Sequence, residues 1–205
     1  ITITGVNDAP SLNNSGDPTL TGITEDDLNN NGDAVGDLIG GSMTDVDSGA
    51  LQGIAVIVPA VNGIPHVSDG GTWQYSINAA QTWQDVGSVS MSNALLLRPD
   101  DLLRFVPDGK NGATATVSYR GWDQTTGVAG TKVDTGFIAG GTSAFSSIID
   151  RAEITVTDVN DEPTFDVIES LAPVNQVVVR DGTSTHLALD GEDVDGTSVT
   201  YSVAV

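Results

Sequence analysis

Two short acidic links carry the residues best suited to chemistry. "DVNDEPTF" covers 158–165 and "GVNDAPSL" covers 5–12, each an Asn–Asp pair with a proline two residues on. Each follows an alternating stretch, "ITVT" at 154–157 and "ITIT" at 1–4. Each also precedes a "DVD", so Asp8 leads Asp45 by 37 residues and Asp161 leads Asp193 by 32. "GWDQTTG" at 121–127 adds Asp123 directly after a strand-like run. Carboxylates, Asn amides and carbonyls are what a hard cation needs, and Ca2+ gathers six to eight oxygens at about 2.3–2.6 Å. Alternate residues of an extended segment point the same way, so D-x-D turns two carboxylates toward one place. Proline after the link removes an N–H and stiffens the segment, which keeps its carbonyls aimed. Asp and Asn also favour turns on their own; the pairing of two motifs at matched spacing separates these acids from ordinary turns.

The elements that must position the acids read almost entirely with period two. "LQGIAVIVPA" (51–60), "GTWQYSIN" (71–78), "LLRFV" (102–106), "ATATVSYRGW" (113–122) and "AEITVTDV" (152–159) are strand patterns separated by "DGG", "PDG", "KNG" and "AGG" turns. In "GTWQYSIN", Trp73, Tyr75 and Ile77 share one face. The best helical candidate, "SNALLLRPDDLL", is cut by Pro99, which leaves room for a short turn at most. The expected fold is therefore all-β, an antiparallel sandwich with Greek-key connections.

Two landmarks set the domain limits. Pro10 to Pro163 is a step of 153 residues, and the two "DVD" runs are 148 apart. Near-equal periods point to tandem repeats. Residues 1–9 would be the end strand and linker of a preceding repeat, 10–161 a complete sandwich, and 162–205 the linker and incomplete start of a following one. The last piece holds too few strands to close a core, so residues 166–205 are expected to be poorly ordered or to borrow strand pairing.

Composition narrows the function. Seven basic residues against 28 acidic ones give a net charge of −21, and nucleic-acid binding needs clustered Lys and Arg instead. The 39% hydrophobic fraction supports a folded core. No run approaches 18 consecutive apolar residues, so no helix spans a membrane. Cysteine is absent, which suits a β-domain held by its core or by metal ions. The chain opens in mid-strand without a signal peptide, which reads as a piece of something longer. His66 and His186 sit in no H-E-x-x-H pattern, and there is no G-x-S-x-G elbow or phosphate loop. The acids cluster in turns without an aromatic-lined cleft, so the chain does not read as an enzyme.

The "DVNDEP" link, the "DVD" 32 residues on and the strand-ending "WDQTTG" resemble the calcium-binding motifs of cadherins, written D-x-N-D-N, D-x-D and A-x-D-x-G. The nearer likeness is to cadherin-like repeats of large bacterial surface adhesins and exported repeat proteins. The resemblance implies Ca2+ at the junctions between repeats, holding successive sandwiches rigid and extended for cell adhesion. It implies an extracellular or cell-surface location on a Gram-negative bacterium. The partners implied are the neighbouring repeats of the same chain, with cell-surface or polysaccharide ligands or homophilic contacts beyond them.

Carried over by residue, the lower junction would use Asp158, Asn160, Asp161 and Glu162, with Asp193 and Asp195 from the following domain. The upper junction would use Asn7 and Asp8 with Asp45, Asp47 and Asp123. The family's acid near its first strand falls on Glu25, Asp26 or Asp27. A further acid before its penultimate strand falls on Asp108, with Asp100 or Asp101 as alternatives. Glu162 replaces the family's last Asn and Gly5 its first Asp.

Two loops stand apart. "DLNNNGD" at 27–33 matches half of a D-x-N-x-N-G ion loop, but its twelfth position is Leu38 in place of Glu. "SINAAQTW" at 76–83 is a worn copy of the S-x-D-x-G-x-x-W hairpin, with Asn78 and Ala80 where that motif has Asp and Gly. Trp73 and Trp83 fit either a core or an exposed sugar-stacking platform. The second option carries the alternative function, a calcium-dependent carbohydrate-binding module attached to an extracellular enzyme or adhesin.

Overall fold

The computed structural model describes residues 5–57, 60–61, 64–65, 70–136, 139–162, 164–165, 191–192 and 195. The "ITIT" strand, Asp193, both histidines and the runs "VNQVVV" and "VTYSVAV" lie outside them. The chain divides into two units, Ile1–Asp158 and Val159–Val205.

Strands β1 to β4 are Ser11–Leu12, Ile23–Thr24, Asp33–Ala34 and Met43–Thr44, with helix α1 at Val35–Ile39 after β3. Then follow β5 (Ile54–Ile57), β6 (Ala60–Val61), β7 (Ile64–Pro65), β8 (Gly71–Ser76), β9 (Gln84–Asp85) and β10 (Ala94–Leu97). The first unit ends with β11 (Leu102–Pro107), β12 (Ala113–Trp122), β13 (Lys132–Val133) and β14 (Phe145–Thr157). The second unit shows β15 (Thr164–Phe165) paired with β16 (Gly191–Glu192).

In the first unit a six-stranded sheet runs β13-β10-β5-β12-β14-β2, and a four-stranded sheet runs β3-β11-β8-β9. Ile54 and Val56 of β5, Leu95 and Leu97 of β10 and Val117 and Tyr119 of β12 share one buried cluster with Tyr75, Leu103 and Phe105 of the smaller sheet. That shared core fixes the two sheets in one body. A second cluster, built on Ala55, Ile57, Ala94, Leu96 and Trp122, covers the other face of the larger sheet with Ala144 and Phe145. Strands β5 and β10 are therefore buried on both sides.

The long strands fall where alternation places them, and β12 coincides with "ATATVSYRGW". Three expectations need correction. Residues 94–97, read as part of a short turn, form the interior strand β10: its Ala-Leu-Leu-Leu run is apolar because both faces are covered, which hides the alternation. The helix lies instead at Val35–Ile39, where Val35, Leu38 and Ile39 enter the core and Gly40, at φ 48°, ends it. The pairing is not wholly antiparallel either. β2 adds to the edge of β14 in parallel, Ile23 opposite Val156 and Thr24 opposite Thr157, where the chain after β1 already follows that edge, the Glu153 N–H donating to the Pro18 carbonyl and the Leu20 N–H to the Glu153 carbonyl.

Candidate metal centre

Strand β12 supplies the axis. Asp123 follows its last residue and Gly112 precedes its first. The acids gathered near these two residues thus stand at opposite poles of the first unit, roughly 30 Å apart at about 3.3 Å per residue.

At the Asp123 pole the structure brings together all five residues of the expected upper set. Asn7 Nδ2 donates to Asp123 Oδ2 (2.9 Å) and to the Ser143 carbonyl (3.2 Å). The Asp8 N–H donates to Asp47 Oδ2 (2.8 Å), and the Asp47 N–H donates to Asp45 Oδ1 (2.9 Å). Asp123 is buried, and its Oδ1 accepts from the N–H and the hydroxyl of Thr125 at 2.8 and 2.6 Å. Trp122 anchors that turn from the second core cluster, its Nε1 donating to the Thr126 carbonyl (2.7 Å). Gly53 is required beside it, since a Cβ there would lie 2.7 Å from the Leu97 carbonyl and 2.8 Å from the Trp122 ring. Gln124 completes the turn at φ 66°. The residues frame an open cleft of about 430 Å³ lined by Val6, Asn7, Asp47, Leu51, Asp123 and Thr125 among others.

The donors are all oxygen, which suits a hard cation. Asp45 Oδ2 is buried and takes no hydrogen bond from a described residue, and a buried carboxylate oxygen without a partner is costly unless a cation meets it. The set is not a closed cage: among the described residues, no three of Asp8, Asp45, Asp47 and Asp123 bring carboxylate oxygens within 4.8 Å of one another.

At the other pole Glu25 is fully buried, its N–H donating to the Thr157 carbonyl at the end of β14 (3.1 Å). The Glu25 and Asp158 carboxylates approach within 4.8 Å of each other. Asp158 Oδ1 accepts from the Gly112 N–H (2.9 Å). A Cβ on Gly112 would lie 2.8 Å from the Asp158 nitrogen, so glycine permits this approach. Of the three acids offered for this position, Glu25 alone stands by Asp158. Asp26 is exposed, and Asp27 Oδ2 accepts from the Thr24 N–H (2.9 Å). Asp108 is exposed, its N–H donating to the Gly70 carbonyl. Asp101 is taken by Arg98 (2.9 Å), the one ion pair between described residues, and that pairing raises the Arg98 pKa.

Within the second unit the Asp161 N–H donates to Asp195 Oδ2 (2.6 Å), and Asn160 Nδ2 donates to the Asp161 carbonyl (2.9 Å). Glu162 is exposed. Asp193 lies outside the described residues.

Ser143, Thr125 and Gly112 shape these poles without having been singled out in the sequence. Thr125 alone had a signal, since Asp-x-Thr favours a side-chain turn. The 27–33 loop is held by Asn30, whose Nδ2 donates to the Phe105 carbonyl (2.8 Å) and whose Oδ1 accepts from Gly32 N–H (3.2 Å). Leu38, at its twelfth position, is in the core. Trp73 packs edge-on against Phe105 with ring centroids 5.3 Å apart, and the Arg104 guanidinium lies 4.1 Å over the Trp83 ring. One face of Trp83 is thereby taken.

No protein-family model, no curated protein and no solved structure matches this chain. Among the described residues no helix is long and apolar enough to cross a membrane.

Proposed function

We propose that this chain is a calcium-binding structural repeat of a large exported surface protein, a cadherin-like Greek-key sandwich whose poles hold Ca2+ and so stiffen a string of such modules for adhesion. The observation that carries the reading is the Asp123 pole. Residues from the link (Asn7, Asp8), from "DVD" (Asp45, Asp47) and from the end of β12 (Asp123) meet there, although they are up to 116 positions apart, and Asp45 Oδ2 is left without a described partner. Two acidic loops and a buried Asp repel each other unless a cation offsets them. The Glu25–Asp158 pair is half of such a set at the other pole, and Asp161 with Asp195 repeats the Asp8–Asp47 hydrogen bond in the second unit. The carbohydrate-binding alternative gains nothing from Trp83, which stacks on Arg104.

Thermal melts in Ca2+ and in chelator test the proposal. Extracellular modules bind Ca2+ with dissociation constants of about 0.1–1 mM, and saturation about 100-fold above that adds roughly 2.7 kcal/mol to the folded state. Asp45→Asn and Asp123→Asn should each shrink the calcium-induced shift. Identical melting in Ca2+ and chelator would sink the proposal.

A further inference from the structure

Three of the large hydrophobic side chains most open to water surround the Asp123 pole: Val46 at 82%, Val6 at 68% and Leu51 at 59% exposed. Val6 and Leu51 line the cleft with Asp47 and Asp123, and Val46 lies between Asp45 and Asp47. At the Glu25 pole stands Leu28, 47% exposed, beside the Gly109 turn. A single exposed aliphatic residue is unremarkable. Here the position repeats: V-N-D occurs at 6–8 and 159–161, and D-V-D at 45–47 and 193–195. Both copies keep valine beside or between the acids. Ion binding calls for the acids and does not require an apolar residue between them, at a bend that the Asp47 N–H closes on Asp45 Oδ1 (2.9 Å). A polar residue would be the ordinary choice for a site this open to water.

The chain also indicates what precedes such a pair. The second V-N-D follows "ITVT" with one residue, Asp158, between them, and "ITVT" closes β14, the last strand of the first unit. "ITIT" at 1–4 stands in the same register before the first V-N-D. We propose that Val6, Val46 and Leu51 form an apolar docking surface for the closing pole of another module of this kind, with that module's Leu28 as the apolar side chain facing it. The inference rests on the tandem calcium-binding reading and adds a second, short-range contact to it. Both poles are acidic, so the cation removes the repulsion and the valines supply the contact.

A tandem chain tests this, with a copy of residues 1–158 placed directly before residues 6–205, so that the front module keeps its Asp158 and the two links stay in register. The readouts are accessibility of the valine methyl groups to a soluble paramagnetic probe and the tumbling of the two modules, in CaCl2 and in chelator. In CaCl2 the internal Val6 and Val46 should lose the accessibility they have in the 205-residue chain. Val46→Ser in the rear copy, or Leu28→Ser in the front one, should let the modules tumble independently while each melts as before. If the tandem stiffens in CaCl2 with the valines still open, or stiffens equally with Val46→Ser, the docking surface is wrong and the calcium reading stands. If Val46→Ser loosens the tandem while chelator changes nothing, the docking surface stands and the calcium reading fails. If neither matters, both fail.

Discussion

Ala79 and Ala80 hold φ angles of 56° and 63°, a conformation that costs an L-residue with a Cβ roughly 1–2 kcal/mol. They persist because the Ser76–Trp83 hairpin closes around them. Ser76 Oγ accepts from the Ala80 N–H (3.1 Å), and Asn78 Oδ1 accepts from the Thr82 N–H (3.1 Å). The worn motif therefore still makes its turn, with alanine where its pattern has glycine. Ala80→Gly is expected to stabilise the chain by about 0.5–1 kcal/mol, the relief of strain exceeding the extra freedom of the unfolded chain, and a thermal melt would show it. Tyr119 offers a second test. Its hydroxyl donates to Asp150 Oδ2 (3.1 Å) in the first core cluster, and burial, then the Asp150 charge, hold its pKa well above the usual phenol range. A pKa raised on folding gives stability that is fully present below the unfolded value of about 10. Above it the unfolded chain ionises first, so stability should fall by about 1.4 kcal/mol per pH unit until the folded phenol also titrates. Denaturant titrations above pH 10 should lose that slope in Tyr119→Phe.

Among the elements, β10 shows how far pattern reading reaches. β12, with its exposed Thr114, announces itself by alternation, whereas Leu95, Leu96 and Leu97 face two different cores and are all buried. The neighbouring proline then made a turn the easier reading. Leu95→Ala and Leu96→Ala are each expected to cost about 2–5 kcal/mol, in equilibrium unfolding, although the side chains point opposite ways. A strand with one wet face would lose that much from only one of them. Of the residues that meet at the Asp123 pole, acid identity and spacing named Asn7, Asp8, Asp45, Asp47 and Asp123, since D-x-D and the link are local patterns, and left Thr125 and Ser143 unnamed. What the pattern left open was which of three consecutive acids turns inward. Glu25 is chosen by its place at the end of β2, which pairs with the end of β14, a contact between distant segments. Gly112 was silent for the same reason: its role appears only once β12 and β14 lie side by side. Gly112→Ala should displace Asp158, lowering stability by about 1–3 kcal/mol and weakening the calcium-induced shift in the melt.

For the whole molecule the decisive quantity is charge. Of the few basic residues, Arg104 and Arg120 are buried, their guanidinium groups bonded to carbonyl and amide oxygens, and their pKa values are lowered by desolvation. Lys132 Nζ is engaged by the Val86 and Ser88 carbonyls. Little cationic surface is left to offset a net charge of −21, so self-repulsion weighs on the folded state. Two remedies exist, and they behave differently. Monovalent salt screens charges diffusely, with a Debye length of about 10 Å at 0.1 M, and acts on every exposed acid alike. A bound divalent ion would act only where it is held, and on the proposed reading that is the Asp123 pole and the Glu25–Asp158 pair. Millimolar CaCl2 is therefore expected to raise the melting temperature well beyond NaCl at the same ionic strength. MgCl2 should fall short of CaCl2, because Mg2+ demands near-octahedral oxygens at about 2.0–2.1 Å and gives up its water reluctantly. Asp45→Asn and Glu25→Gln together should erase the difference between the two chloride salts of calcium and sodium while leaving the NaCl effect in place. A NaCl curve that matches the CaCl2 curve at equal ionic strength would mean that the acids of this chain are screened and not bridged.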